Sequence, residues 1–353
     1  MDFLEKIREI INKISHLSKK LDKITVFIIT VAEEGKSLFL SYIRESYATL
    51  ICSCEVDNLK NALSIIKEID GKVDLIVVDS EKKNKNLLNL EEIVLKKVKN
   101  SRVLTYKDND AWVFSVETLL SQIYKNIYKK KIAIFSVNNK SLKLAQRLSE
   151  RGGDVWLYEE NKNLEEICKS LNNLSCELYT IPVKWSEKKE EVVKDAEIVV
   201  GFSLKNSPID KNVIKLMKES GLVIDAGIGN CTKDAIIYAE KRKISVYRLD
   251  IRAAYSGYVL TLIETQTLFE KIAGTKKIAG IRIVAGGYVG RYGDIVVDSI
   301  SNPTTVYGIA DGKGGLLTEL NEEHLKKIKK VEEEIKPKIL RESIPIIPEV
   351  FPE

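Results

Sequence analysis

Lys130-Lys-Ile-Ala-Ile-Phe-Ser-Val-Asn-Asn-Lys-Ser141 sets a basic lead-in before a short apolar run, then a polar turn that opens a helical pattern. The apolar part, Ile132 to Val137, reads as a buried strand, and the polar turn marks its carboxyl end. Three further runs repeat the arrangement, Val155 to Tyr158, Ile198 to Phe202 and Leu222 to Asp225, with segments of helical period between them. Strands alternating with helices build a parallel sheet wrapped by helices, so residues 130–275 are expected to form a Rossmann-like nucleotide-binding domain. Ligands of such sheets sit beyond the carboxyl ends of the strands. Residues 136–141, 201–207 and 227–232 are therefore the first places to look for chemistry.

Working outward, Leu4, Ile7, Ile10, Ile11, Ile14, Leu17 and Leu21 recur at helical spacing and predict an amphipathic helix within residues 1–21, with His16 on its polar flank. Residues 22–110 read as a first α/β domain on the substrate side. Its expected strands are Ile24 to Thr30, Ala48 to Cys52, Val73 to Asp79 and Arg102 to Thr105, and its helices Lys36 to Arg44, Asn58 to Ile69 and Leu90 to Lys97. The stretch Asp79-Ser-Glu-Lys-Lys-Asn-Lys-Asn reads as a solvated loop. One linking helix is expected over 111–129. Residues 276–353 change texture: glycine clusters between short apolar runs predict a small antiparallel β unit, followed by a charged helix and a proline-set tail. The fold class is thus α/β, with two α/β domains, the second a Rossmann-like parallel sheet, plus a small C-terminal β unit.

The chain has 353 residues, 44% apolar and 30% charged, which suits a globular protein of two domains. Its net charge of +5 is spread over 56 basic and 51 acidic residues that interleave, so no nucleic-acid partner is expected. No run approaches a membrane span, and Met1-Asp-Phe-Leu-Glu-Lys lacks the order of a signal peptide, so a cytoplasmic location is expected. Five cysteines (Cys52, Cys54, Cys168, Cys176, Cys231) without metal spacing, and only two histidines, predict free thiols and no metal site.

In the turn after the first Rossmann strand, Ser136, Asn138, Asn139 and Ser141 are the cofactor candidates. The turn has no glycine; the two asparagines tolerate positive φ and Ser141 can cap the helix. Glu159, about twenty residues on, stands where an acid accepts ribose hydroxyls, as for NAD or S-adenosylmethionine; a solvated strand end is the alternative. Gly201, Ser203, Gly227, Gly229 and Asn230 close the later strands, where glycine lets backbone lie against a ring or ribose. Asn109 and Asp110 precede the linking helix. Asp110 is the candidate general acid or base, Asn109 a substrate ligand, and the N-cap of that helix is the competing role for the pair. Arg252, with Asp250 and Tyr255, is placed to bind an anionic substrate.

The segments Asp195-Ala-Glu-Ile-Val-Val-Gly-Phe-Ser and Met217-Lys-Glu-Ser-Gly-Leu-Val-Ile-Asp-Ala-Gly-Ile-Gly-Asn resemble the cofactor domain of the methylenetetrahydrofolate dehydrogenase and shikimate dehydrogenase group. The helix Leu262 to Gly274 is similar to the one that returns to the substrate domain in shikimate dehydrogenases. That resemblance, over about residues 22–275, implies an NAD(P)-dependent oxidoreductase acting on a small polar substrate in an interdomain cleft. It puts Glu264 where the group often has a substrate-contacting glutamine, and Asn109-Asp110 near its catalytic aspartate. The chain departs from the group in having no glycine-rich phosphate loop and no lysine of the first domain that the sequence identifies as catalytic, Lys36 being a candidate by location only. An S-adenosylmethionine-dependent methyltransferase of Rossmann-like fold needs no such loop and is the first alternative. A non-catalytic nucleotide-binding protein is the second. A homodimer is expected from the β unit and the apolar tail.

Overall fold

The computed structural model describes residues 3–32, 39–175, 179–203 and 206–335, and for 252–254 the backbone alone. The chain divides into two compact units, Met1–Tyr258 and Val259–Glu353.

The first unit opens with helix α1 (Phe3–Leu21), whose Ile7, Ile11 and Ile14 form a fully buried stripe one side chain wide. Strand β1 (Ile24–Val31) follows, then the short β2 (Phe39–Leu40) and β3 (Arg44–Glu45), β4 (Thr49–Val56), α2 (Leu59–Ile69), β5 (Leu75–Asp79), α3 (Leu90–Lys97) and β6 (Arg102–Tyr106). The sheet order is β2-β4-β1-β5-β6. β4, β1, β5 and β6 run parallel, and β2 and β3 pair antiparallel with β4. The helix expected from Lys36 to Arg44 is therefore corrected in its second half, because pairing of Phe39 with Glu55 overrides the local pattern. Its first half, Lys36 included, lies outside the described residues.

Strand alternation sorts the side chains of this sheet. Phe27, Ile29, Cys52, Cys54, Ile76 and Val78 pack with the buried stripes of the three helices, so the residues between them project to the other face. Because Val78 pairs with Thr105 and Asp79 with Tyr106, and Ile29 pairs with Val78, the residues Thr30, Asp79 and Tyr106 form one row on that other face. The row lies at the carboxyl ends of β1, β5 and β6.

Helix α4 (Asp108–Ile123) carries the chain onward. It starts three residues before the expected 111 and stops six before 129, at an extended Tyr124. The second sheet comprises β7 (Lys131–Phe135), β8 (Asp154–Tyr158), β9 (Lys184–Trp185), β10 (Ile198–Gly201), β11 (Leu222–Asp225) and β12 (Ser245–Arg248). Between them run α5 (Asn139–Glu150), α6 (Glu165–Leu174), α7 (Lys189–Val193), α8 (Lys211–Leu216) and α9 (Lys233–Lys241). All its strands are parallel, in the order β9-β8-β7-β10-β11-β12. Counted within the domain that is 3-2-1-4-5-6, the doubly wound Rossmann order, with its switch point between β7 and β10. Ile132, Ile134, Ile198 and Val200 pack on one side with Val116, Leu120, Leu144 and Leu148. Ala133, Phe135, Val199 and Val223 pack on the other with Val213 and Ala239.

Helix α10 (Arg252–Thr267) begins in the first unit and continues in the second, where a π-helical turn (Leu268–Ile272) extends it. The second unit adds β13 (Gly274–Ile278), β14 (Ile281–Ala285), β15 (Ile295–Val297), β16 (Val306–Ile309) and α11 (Glu322–Glu332). These strands form one sheet in sequence order, with β14 and β15 parallel and the outer pairs antiparallel. The β unit is thus mixed, where an antiparallel one was expected. The proline-set tail lies outside the described residues.

The central strand β7 offers a direct check. Ile134 has no exposed surface, so Ile134→Ala should lower unfolding free energy by about 2–5 kcal/mol, read from urea denaturation.

Candidate functional site

Two places collect polar groups at strand ends: the switch point of the second sheet, and the row on the first.

At the switch point the turn after β7 is short, and Ser136 takes a left-handed φ of 69°. Its amide donates to Tyr158 O at 3.1 Å. The next amide, of Val137, donates to Glu159 Oε2 at 2.5 Å. Asn138 is the N-cap of α5 and forms a reciprocal capping box with Ser141. Asn138 N donates to Ser141 Oγ at 2.7 Å, while Asn138 Oδ1 accepts from Lys140 N at 3.0 Å and Ser141 N at 3.2 Å. Ser141 is fully buried, and Asn138 and Asn139 are exposed. A pyrophosphate at such a turn is held by outward-pointing amides at the helix start. Here those amides, Asn139's excepted, are bonded within the chain, so the residues present do not fit a pyrophosphate.

The later strand ends are also tightly self-bonded. Asp225 accepts from the amides of Gly227, Gly229 and Asn230 at 3.2, 3.0 and 3.3 Å. Asn230, fully buried, also bonds Asp225 through its side-chain amide. Its Oδ1 accepts from Ser203 N at 2.8 Å, and its Nδ2 donates to Ser203 O at 3.1 Å. Two of the three glycines expected to admit a ligand, Gly201 and Gly227, are required by this packing. A Cβ on Gly201 would lie 2.5 Å from Asn230 Oδ1, and one on Gly227 would collide with the Ser203 carbonyl. Gly229 holds a φ of 78° in the same turn.

The row on the first sheet is different in kind. Asp79 is 1% exposed, and Lys83 Nζ lies 2.6 Å from its Oδ2 and 3.1 Å from Asp108 Oδ2. Glu81 is a third carboxylate, 3.6 Å away. Burial alone would lower the Lys83 pKa, but the Asp108 and Asp79 carboxylates outweigh it and hold the ammonium above its ordinary range. Burial raises the Asp79 carboxyl above the usual carboxylate range, with Lys83 opposing the shift and Asp108 adding to it. A chain of hydroxyls reaches the same cluster. Thr30 Oγ1 is 2.6 Å from Tyr106 Oη, Tyr106 Oη is 3.2 Å from Tyr255 Oη, and Tyr255 donates to Asp108 Oδ1 at 3.0 Å. Burial pushes both phenols well above their ordinary pKa, with Asp108 adding to the shift at Tyr255. Tyr255 also forms part of the wall of a cavity of about 410 Å³, with Ile28, Ile51, Ser53, Arg44 and Ser256.

Asp110 lies in the first turn of α4, where Lys107 is the N-cap, so neither it nor Asn109 caps the helix. Its half-exposed carboxylate meets Lys143 Nζ at 2.5 Å, and Lys143 stands 3.9 Å from Glu81. This joins the start of α4 to α5. Asn109 is buried, with its amide on Glu81 Oε2 at 3.0 Å. Glu264 is exposed on the part of α10 that belongs to the second unit. The backbone of Arg252 begins α10, and its side chain lies outside the described residues. Within the stretch 79–86, read as a solvated loop, Asp79 and Asn84 are buried, while Lys82, Lys85 and Asn86 are exposed. Sequence reasoning missed Asp79, Lys83, Tyr106 and Asp108. The available signal was an acid ending an apolar strand with a lysine four residues later.

No family model matches this sequence, and no curated protein matches it. Among solved structures, a dipicolinate synthase from Bacillus halodurans aligns at 13% identity over 69% of this chain and 97% of its own, with a TM-score of 0.34. D-lactate dehydrogenase with NAD+ from Lactobacillus jensenii aligns at 17% identity over 55% and 63%, with a TM-score of 0.32. A mitochondrial ornithine carbamoyltransferase from Coccidioides immitis aligns at 12% identity over 73% and 94%, with a TM-score of 0.40. Likenesses this remote say nothing of substrate or cofactor, and they do not show the group that the sequence resembles.

The Lys83 cluster makes a thermodynamic prediction. Lys83→Met leaves two buried carboxylates without their cation, at a cost of about 3–5 kcal/mol near neutrality. Without the ammonium the folded-state pKa of Asp79, already raised by burial, rises further above its unfolded value. Folding then takes up a proton, so the deficit should shrink as pH falls from about 8 to about 5 in urea titrations of both proteins.

Proposed function

We propose that this chain is an enzyme of oxidoreductase-like architecture that carries out proton transfer on a small polar substrate, with a nucleotide cofactor at the switch point of its second sheet. The observation that carries this reading is the Lys83 ammonium held between the buried Asp79 and Asp108 carboxylates, connected through Tyr255 to the wall of a cavity. A cavity of about 410 Å³ falls in the range of roughly 300–1,000 Å³ common to small-molecule sites.

The roles follow from the charges. Lys83 keeps its proton through the neutral range and is a fixed donor and cation. Tyr255 is neutral and donates to Asp108. A substrate hydroxyl at the cavity end loses its proton to Tyr255 as the Tyr255 proton passes to Asp108, and Lys83 steadies the charge that moves. The reverse path delivers a proton to a developing alkoxide. Asp110, expected as the acid–base group, holds Lys143 and so fixes α4 against α5.

The Rossmann order supports a nicotinamide dinucleotide, NAD or NADP, by analogy of fold alone, and the self-bonded amides of the 136–141 turn count against its pyrophosphate. The self-bonded turn at 136–141 supports a second reading, methyl transfer from S-adenosylmethionine, whose adenosyl group reaches its reactive centre without a pyrophosphate.

Thermal unfolding with NAD, NADP and S-adenosylmethionine in parallel separates these. Ligand at about a hundred times its Kd adds about 2.7 kcal/mol of stability. A rise with NAD or NADP alone is the result for a dehydrogenase, and a rise with S-adenosylmethionine alone for a methyltransferase. The absence of any rise sinks the cofactor part of the proposal.

A further inference from the structure

We infer that the chain itself fills the anion seat of the switch point, so that the nucleoside ligand taken there carries no diphosphate. This rests on the reading that a nucleotide-type cofactor binds the second sheet, and it names the chemical class of that cofactor.

A diphosphate seat needs two things at a strand-to-helix turn: amides left unbonded in the empty protein, and no side chain between them and the phosphates. The turn after β7 meets the first at one amide alone, that of Asn139, and fails the second. From Ser136 to Leu142 every backbone amide except that of Asn139 has an acceptor within the chain. The acceptors are built in. Ser141, fully buried, both accepts from Asn138 N and donates to Asn138 O at 2.9 Å. Glu159 places a carboxylate on Val137 N, the charge type that a phosphate would bring. A diphosphate would have to displace that carboxylate and also lie beside it, and like charges at such range repel.

The nearby cations do not offset this. Lys140 Nζ lies 4.7 Å from the centre of the Trp112 ring, and Lys143 is bound to Asp110. A neutral or sulfonium-bearing adenosyl group asks for no displacement, because it brings no anion to the turn. The same Glu159 that repels phosphate is compatible with a cationic ligand.

Isothermal titration of the full chain with adenosine, S-adenosylmethionine, ADP and NAD tests the inference. For the unaltered protein the expected result is binding of adenosine or S-adenosylmethionine at least about tenfold tighter than ADP or NAD. Glu159→Gln keeps the shape of the acceptor and removes its charge, and should narrow that gap by about tenfold. Asn138→Gly, which frees the Lys140 and Ser141 amides, should narrow it as well. ADP or NAD binding more tightly than adenosine and S-adenosylmethionine overturns the inference while leaving the cofactor reading intact, and so does a gap that neither variant changes. Binding of none of the four overturns both. Thermal unfolding of each variant shows whether it remains folded, and because Glu159→Gln keeps an acceptor for Val137 N it does not depend on loss of the turn.

Discussion

An ammonium group withdrawn from water must be surrounded by anions or give up its proton, and Lys83 meets the first condition. Its charge is held between Asp79 at the end of β5 and Asp108 at the start of α4. That single requirement ties the last strands of the first sheet to the helix that leads to the second. Tyr255, from the start of α10, is brought to the same point by its bond to Asp108. The cluster is therefore a structural keystone of the first unit as well as its most chemically capable site. Burial demands the pairing, and at Asp79 it also raises the carboxyl above the usual carboxylate range.

The second sheet shows the opposite arrangement. Its strand order is that of a nucleotide-binding domain, yet its strand ends satisfy themselves: Asp225 collects the amides of its own turn, Asn230 bridges to Ser203, and Asn138 with Ser141 closes the start of α5. Glycines 201 and 227 serve this packing, because side chains there would strike Asn230 and Ser203. Glycine at a strand end is thus ambiguous in sequence, since close approach of a neighbouring loop and close approach of a ligand impose the same demand.

Between these two regions run α4 and α5, joined by Asp110 to Lys143 and by Glu117 to Arg147, the latter at 2.6 Å. Both carboxylates lie on one helix and both cations on the other. The partly exposed pairs are worth little individually. They span two helices whose apolar faces share a core, and Lys143, 3.9 Å from Glu81, brings the helix that follows the switch-point turn to the edge of the Lys83 cluster.

The sequence by itself determined the elements with a strong period. Helix α1, helix α3 and strand β11 fall where the spacing of Ile7, Ile11 and Ile14, of Leu90 and Val94, and of Leu222 to Asp225 puts them. The α/β alternation from residue 130 onward is legible for the same reason: burial on both faces of a parallel sheet demands continuous apolar runs. What only the tertiary structure decided was the fate of the polar residues. Asp79 opens a stretch with the composition of a solvated loop, and it is buried because β5 ends beside β6 and the start of α4 meets its carboxylate. Glu159 has the position of a ribose ligand, and is engaged because β7 and β8 end at the same height. Apolar pattern is a local record of burial. A polar side chain takes its meaning from whichever partner the fold brings within 3 Å or so, and that partner lies at a sequence distance no window can see.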